Sequence, residues 1–396
     1  MIAARSSFWI LILLVFSCTQ SVLAIEFTFE SSSFSKSYIK AIEDKAESEN
    51  KKMFLLWDLK STAESFSSEI DNAFFFQFQS SGKLKYQILD RLELDLKANV
   101  IFQGGQAQSR FGDLLPQGPA YLSYGQLNFD VLGNNTLELQ AGALSQFEVF
   151  GNNLFISKRA FPGVGESLKF EIEDLKIKLS AQQVIPTTFT LSTALVEREK
   201  TPTLNSLNAN FNYDLKPFVF NLNAAYFDYN DLPALVRDTS RLFGNTVNGT
   251  GFNSVFAFDY RGWISNFDTS YNPTKDTAFR FVLSMLENTA APKTYNQSQF
   301  IQLSAHHRIN RELGLDLIIS DFFVESDAVP AFFTSRTFQT NHKGNMIEVG
   351  MQWLEKKVRV SAGYTVSNLI NPDSSGRQLD NDIISFNLET AYDLFN

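Results

Sequence analysis

Residues with chemical reach are few in this chain. Histidine occurs only at His306, His307 and His342, and cysteine only at Cys18. Ser304 and His306 stand two apart, so on an extended strand both side chains leave one face, the minimum geometry for a hydroxyl and a base to cooperate in an embedded lipid hydrolase. Their backbones would lie roughly 6–7 Å apart, and no carboxylate is evidently placed to orient the imidazole. Two ordinary histidines near a strand end are the simpler account, and no enzyme activity is expected. Gly104-Gly105 and Gly163-Val164-Gly165 lack the strand-to-helix setting of a phosphate loop. They read as turn glycines, and no cofactor is expected. A richer set is Asp231, Arg237, Asp238 and Arg241, in a stretch where Leu232, Leu235 and Val236 have helical spacing and Gly244-Asn245 closes the turn. Fixed charges of both signs on a short amphipathic turn set a transverse field and an ion preference if that turn lies in a channel.

The elements that would position these residues begin with an export signal. Met1 to Ala24 carries Arg5, an apolar run from Phe8 to Phe16, and Val22 and Ala24 where a signal peptidase reads, so cleavage after Ala24 is expected. The apolar run is too short for the ~20 residues of a spanning helix. Cys18 raises the option of a lipid anchor, but Phe16 is bulky where such a site prefers small residues. Cleavage removes the only cysteine, which excludes thiolate metal sites, disulfides within the mature chain and a cysteine nucleophile. It also removes Arg5, leaving the chain one unit more negative than the formal −9 of the full sequence. An acidic exported chain is a poor nucleic-acid binder.

After the leader the apolar residues are dispersed by alternation. From Leu92 to Gln103, Leu92, Leu94, Leu96, Ala98, Val100 and Phe102 share one face, while Glu93, Asp95, Lys97 and Asn99 share the other. Val358, Val360, Ala362, Tyr364 and Val366 oppose Arg359, Ser361 and Thr365, and the segment from Asn381 repeats the pattern. Such runs exceed a usual globular strand and match the tilted strand of a barrel wall. The sequence holds 39 Phe, 12 Tyr and 4 Trp, yet no continuous apolar helix follows the leader. Seventeen segments alternate in this way, among them 73–80, 137–149, 187–196 and 252–260. A barrel with both ends on one side needs an even number, so sixteen strands are expected, by dropping 73–80 or merging a short pair, with eighteen as the alternative. Phase assigns Glu93, Asp95, Lys97, Glu138, Gln140, Glu148, Arg280, Arg308 and Arg359 to the lumen. That set mixes both signs and contains no apolar stripe, which argues against a fatty-acid type cavity.

The expected domain plan is a signal peptide over 1–24, a periplasmic or lumenal segment over 25–72 that is partly helical, and an all-β antiparallel meander barrel over 73–396. The helical reading rests on Leu56, Leu59 and Ala63. Connections long enough to carry function are 104–120, 150–165, 229–251 and 325–343, the last with Phe332, Phe333 and Phe338.

On the leader, the missing cysteines, the alternating strands and the last strand, the chain resembles a Gram-negative outer-membrane β-barrel of the general porin class over roughly 72–396. Members usually finish on an aromatic residue with Tyr or Phe two places earlier. Here Tyr392 and Leu394 keep the phase, Phe395 is out of step and Asn396 ends the chain. The resemblance implies outer-membrane location, contact with outer-membrane lipid, lipopolysaccharide and the barrel-insertion machinery, and a homotrimer as one assembly. It also implies a long loop folded into the channel, for which 229–251 is the candidate. Passive diffusion of small polar solutes and ions is the expected function, with a closed barrel serving as structural protein, adhesin or receptor as the alternative.

If Asp231 to Asn245 folds into the channel, replacing Arg237 and Arg241 together by Gln should move selectivity toward cations. Reversal potential under a salt gradient reads the change, and an unchanged value with normal conductance would place the turn outside the pore.

Overall fold

The computed structural model describes residues 52–68, 72–106, 120–133, 136–151, 156, 160–186, 199–334, 338–354, 357–372 and 378–393. The signal peptide, the rest of 25–51, the segment 187–196, the turn 355–356 and the terminal 394–396 therefore fall wholly or mainly outside the described residues.

Strands β1 (Met53–Ser68), β2 (Asn72–Leu89), β3 (Leu92–Gln106), β4 (Ala120–Asp130), β5 (Leu137–Ser145), β6 (Ala160–Ile172), β7 (Leu175–Val184), β8 (Thr203–Leu215) and β9 (Phe218–Asn230) form the first half of the wall. A two-stranded ribbon, β10 (Val247–Asn248) and β11 (Val255–Phe256), lies in the connection that follows. The wall resumes with β12 (Tyr260–Tyr271), β13 (Thr277–Asn288), β14 (Gln297–Arg308), β15 (Leu313–Val324), β16 (His342–Trp353), β17 (Val358–Leu369) and β18 (Asn381–Asp393). Each wall strand pairs with the next, β9 pairs with β12 across the ribbon, and β1 pairs with β18. The result is a closed antiparallel barrel of sixteen strands in meander order. No described helix is long and apolar enough to cross a membrane, which leaves strand crossing open.

Sixteen is the expected count, reached by a different set of strands. Met53–Ser68 is a wall strand of 16 residues, so the barrel begins at 53 rather than 73 and the expected helical character of this stretch is corrected. Its outward face is Leu55, Trp57, Leu59 and Ala63, but Phe54, Leu56 and Phe66 face inward and are buried. With apolar residues on both faces the period of two disappears. The Phe-rich stretch that could have been dropped is the start of β2, with Phe74 and Phe76 outward and Phe75 inward. The expected strand at 252–260 is instead a short helical turn and one half of the ribbon, and 137–149 ends at Ser145, where helix α1 (Gln146–Phe150) begins. Strand β7 pairs directly with β8.

Direction follows from connection length. The turns at 90–91, 173–174 and 216–217 are tight and lie at the end that also holds the start of β1 and the finish of β18, whereas 146–159, 185–202, 231–259 and 325–341 are long and lie at the other end. Outward residues include Leu303, Phe386 and Val164, each more than half exposed, and aromatic contacts run across β9, β12 and β13 near the turn end, with Phe218 4.7 Å from Tyr271 and Phe267 6.3 Å from Phe281 between ring centroids. Inward residues are mainly Ser, Thr, Asn, Gln and charged groups.

The first and last strands are locked on the inner face. Lys60 of β1 lies 3.3 Å from Glu389 of β18, directly opposite in register. Beside them Arg359 of β17, 1% exposed, donates from Nε to Asp316 of β15 at 3.0 Å and from Nη2 to Glu348 of β16 at 2.6 Å. Gly350 makes the room, since a Cβ there would lie 2.8 Å from Arg359 Nη2. Arg359 therefore ties three consecutive strands next to the closure, and replacing it by Ala leaves two buried carboxylates without their cation. We expect Arg359→Ala to lower stability by about 3–5 kcal/mol, read as a lower urea midpoint for the barrel folded into lipid vesicles. A midpoint unchanged within error would mean the network carries no weight.

Candidate pore and its constriction

The residues expected to face the lumen are placed as follows. Asp95 is buried and accepts from Tyr124 Oη at 3.2 Å, Glu93 accepts from Asn128 Nδ2 at 3.3 Å, and Glu138 meets Lys169 at 2.8 Å. Lys97 lies opposite Lys83 and Tyr124, and Gln140 lies opposite Asn128 on the same inner face. Arg280 makes a two-point contact with Asp268, 2.8 Å from Nε and 2.5 Å from Nη2, while Arg308 is exposed at the turn end of β14. Arg359 belongs to the buried network above. Glu148, expected on a lumenal strand face, lies in helix α1 because the strand stops at Ser145.

His306 has the carboxylate that sequence reasoning did not place. Its Nδ1 is 2.8 Å from Asp316 Oδ1. The two are cross-strand partners of the β14–β15 hairpin, so the pairing was recoverable by counting back equally from the 309–312 turn. Asp316 also accepts from Arg359 and Gln352, and among the described residues no hydrogen bond joins Ser304 to His306. The carboxylate is an anchor of the wall network, not the orienter of a nucleophile's base. Among the described residues no group of three His, Cys, Asp or Glu side chains is placed to hold a metal ion.

Toward the long-loop end the inner face turns apolar, which corrects the expectation of a lumen without an apolar stripe. Leu144, Phe161, Val184, Leu204, Phe227, Tyr229, Tyr260, Ile264 and Leu286 face inward there, in phase opposite to exposed Val164, Leu207 and Trp263. They were invisible because each strand carries only one or two of them, in its long-loop half, against an inner face that is otherwise polar. They are covered by residues of three connections: Val149, Phe150 and Ile156 after β5, Leu232 and Val236 after β9, and Ala328, Val329, Phe332 and Phe333 after β15. Tyr229 stacks on Phe333 with ring centroids 5.6 Å apart. A fully buried aromatic or aliphatic side chain contributes about 1.5–3 kcal/mol, so this cluster suffices to hold the connections against the inside of the wall.

Polar groups fix how they sit. Helix α1 ends with carbonyls that have no partner within the helix, and three wall asparagines supply donors: Asn208 of β8 to Val149 O at 2.6 Å, Asn223 of β9 to the same oxygen at 3.3 Å, and Asn266 of β12 to Phe150 O at 2.6 Å. The connection after β5 thus reaches inward to strands well around the wall. The 231–259 connection carries helix α2 (Ala234–Leu242), whose first amide donates to Glu199 at 2.6 Å. Of the four expected constriction residues, Arg237 donates to Leu232 O at 2.6 Å and lies 3.7 Å from Glu199, Arg241 pairs with Asp238 at 3.2 Å, and Asp231 pairs with Lys200 at 3.3 Å. Each charge has a neighbour of opposite sign. Beyond α2, Asn245 donates to Ser326 O and Val329 O and accepts from Ala331 N, and Asp327 accepts from Thr246 N, Thr246 Oγ1, Ser326 Oγ and Tyr260 Oη. Asn245 and Asp327 clasp the two connections together. Burial pushes the Asp327 carboxyl above the ordinary carboxylate range in spite of these donors.

Two outcomes follow. Replacing Asn208, Asn223 and Asn266 together by Ala removes donors whose bonds contribute about 0.5–1.5 kcal/mol each, so amide exchange through 146–150 should quicken by at least about tenfold while the barrel stays folded. Unchanged exchange would mean that packing alone holds α1. For Asp327 the folded-state pKa is raised, so its contribution to the clasp is complete below the unfolded carboxylate value and is lost as pH rises through the folded one. Limited proteolysis of 231–259 should slow on acidification across that window, and Asp327→Asn should abolish this dependence. A pH response identical in the variant would assign it to other groups.

No protein-family model matches the sequence, and no curated protein matches it. Among solved structures, the chain is similar to OprB of Pseudomonas putida at TM-score 0.58 and 10% identity, covering 94% of this chain and 100% of that one. It is also similar to OmpF of Salmonella typhi, solved in complex with daunomycin, at TM-score 0.51 and 12% identity, covering 87% and 99%. At these identities the likeness is one of fold: a sixteen-stranded antiparallel barrel resembling Gram-negative outer-membrane porins.

Proposed function

We propose that this chain is an outer-membrane porin that lets small polar solutes and ions diffuse passively. The observation that carries this reading is the division of the wall, apolar outside and polar inside, in a barrel of sixteen strands. Barrels of this size are wide enough to enclose water. Inward packing of the connections after β5, β9 and β15 supports a narrowed mouth at the long-loop end. Arg280, Lys97, Glu93 and Asp95 line the wall with both signs, which suits screening of many solutes rather than capture of one. Outer-membrane lipid and lipopolysaccharide are the surroundings such a wall requires.

A closed barrel serving as structural protein, adhesin or receptor is the second reading, favoured by the clasp of Asn245 and Asp327 across two connections. Purified protein in planar bilayers separates the two. Discrete conductance steps and leakage of small sugars from vesicles are expected. Folded, heat-modifiable protein that gives neither would favour the closed barrel.

A further inference from the structure

The inner wall is buried on two sides, and the described connections cover one of them. Residues after β5, β9 and β15 pack on the cluster around Phe161 and Tyr229. On the other side Phe66, Ala73 and Phe75 form a buried group with Ile383, and Ile318 and Met346 form a second group with the same residue. No residue of a described connection belongs to either group. Thr365 lies opposite Ile383 and Ser385 opposite Glu64 on the same inner face, both fully buried. Their hydroxyls have no hydrogen-bond partner among the described residues. A bare inner wall in a barrel wide enough to enclose water would be wetted there, so an occupant lies against it.

Toward the turn end the same strip becomes basic. Lys83 of β2 stands directly opposite Lys97 of β3, and Lys85 stands opposite Asp95. Asp58 and Lys60 follow on the inner face of β1, with Lys60 held by Glu389. Like charges directly opposite destabilise a sheet, which favours an anionic group laid over the Lys83 and Lys97 pair.

The chain's own N-terminal segment joins the wall at this place. Residues 25–51, which lie outside the described residues, precede β1, whose Phe54 is opposite Lys85 and whose Leu56 is opposite Lys83. Read away from that junction, the segment carries Glu49, Glu47, Asp44 and Glu43, with Lys45 among them, and then Phe34, Phe29 and Phe27 among hydroxyl residues. Read up the wall from the junction, the lysines come first, then Phe75, Phe66 and Ile383 with the unpartnered hydroxyls. The two orders match. The segment's length suffices, since about 27 residues span roughly 40 Å at helical rise and roughly 90 Å when extended, while the strand from Phe54 to Phe66 spans roughly 40 Å. We infer that the inner face of β1–β3 and β16–β18 is a docking surface for residues 25–51, with their carboxylates on the lysines and their aromatic rings on the Phe66 and Ile383 patch. The segment then narrows the pore from the side that the connections leave bare, a consequence that rests on the porin reading above.

The mature chain expected after cleavage has no cysteine, so a single introduced thiol reports alone. In the folded full chain, the thiol of Ser33→Cys should react with a maleimide carrying a polymer too bulky for the lumen at least about tenfold more slowly than in the heat-unfolded chain. Replacing Glu43, Glu47 and Glu49 by Gln and Asp44 by Asn in that variant should restore fast labelling and enlarge the conductance step. The thiol of Ser385→Cys should be shielded from a small charged maleimide in otherwise unsubstituted protein and should react once the four acids are replaced. Fast labelling of Ser33→Cys in folded, heat-modifiable protein overturns the inference, and continued shielding of Ser385→Cys in that case would assign the surface to a separate ligand. Protection of Ser33→Cys that the four substitutions leave unchanged overturns it as well. Intact protection without conductance steps from either protein would instead overturn the porin reading and leave the docked segment in place.

Discussion

Everything in this molecule depends on the pairing of β1 with β18. A wall in hydrocarbon has no water to satisfy its backbone N–H and C=O groups, so a sheet with a free edge cannot stand there and closure is obligatory. The register of that closure runs from Leu56 opposite Asp393 to Ser68 opposite Asn381, and a slip of one residue would turn every side chain of β1 to the wrong face. Lys60 opposite Glu389 marks the correct register with a charge pair, and the Arg359 network extends the same lock over the next three strands. Breaking an interior ion pair by removing one partner is costly even where the intact pair adds little net stability, so a register that separated these charges would be disfavoured. Here they sit where specificity matters most.

Closure creates an interior, and the interior is then divided along its height. Near the turn end it is polar and charged; near the long-loop end the inner wall becomes apolar and is occupied by residues of three connections. The change explains how loops can be held inside a barrel without being tied by covalent links: wall side chains such as Phe161 and Tyr229 offer a surface to bury against, and Asn208, Asn223 and Asn266 take up the carbonyls that the short helix after β5 would otherwise leave unsatisfied. Apolar packing supplies the strength and the asparagines supply the position. Residues of the connections after β5, β9 and β15 are therefore held against the inner wall, and the one after β5 is also bonded to β8, β9 and β12.

The sequence made the outward faces legible wherever lipid-facing alternation is clean, as in β3, β17 and β18, and from these the barrel class follows, whereas the count of sixteen came from the even-number rule applied to a partly different set of strands. It concealed β1 because Phe54, Leu56 and Phe66 are apolar on the inward side, and it suggested a strand at 252–260 because Phe252, Phe256, Phe258 and Tyr260 fall on one phase of two although all but the last belong to a folded connection. Asp231, Arg237, Asp238 and Arg241 were recognisable as a short amphipathic turn, and α2 forms over Ala234–Leu242. Their partners Glu199 and Lys200 come from a different connection, and no local pattern announces such a pairing. The three asparagines on β8, β9 and β12 were likewise hidden, because each is unremarkable on its own strand and only the closed wall turns them toward one helix end.

The central claim is that one face of each wall strand meets water inside the barrel and the other meets lipid. Single cysteines along β14 test it most directly. Gln302 and Ser304 face inward, whereas Ile301 and Leu303 face outward. A charged, membrane-impermeant thiol reagent should modify cysteine at 302 and 304 and reduce the conductance, leaving 301 and 303 to react only with an apolar maleimide from the bilayer. Modification of all four positions alike, or of none by the charged reagent in a folded barrel, would contradict the account.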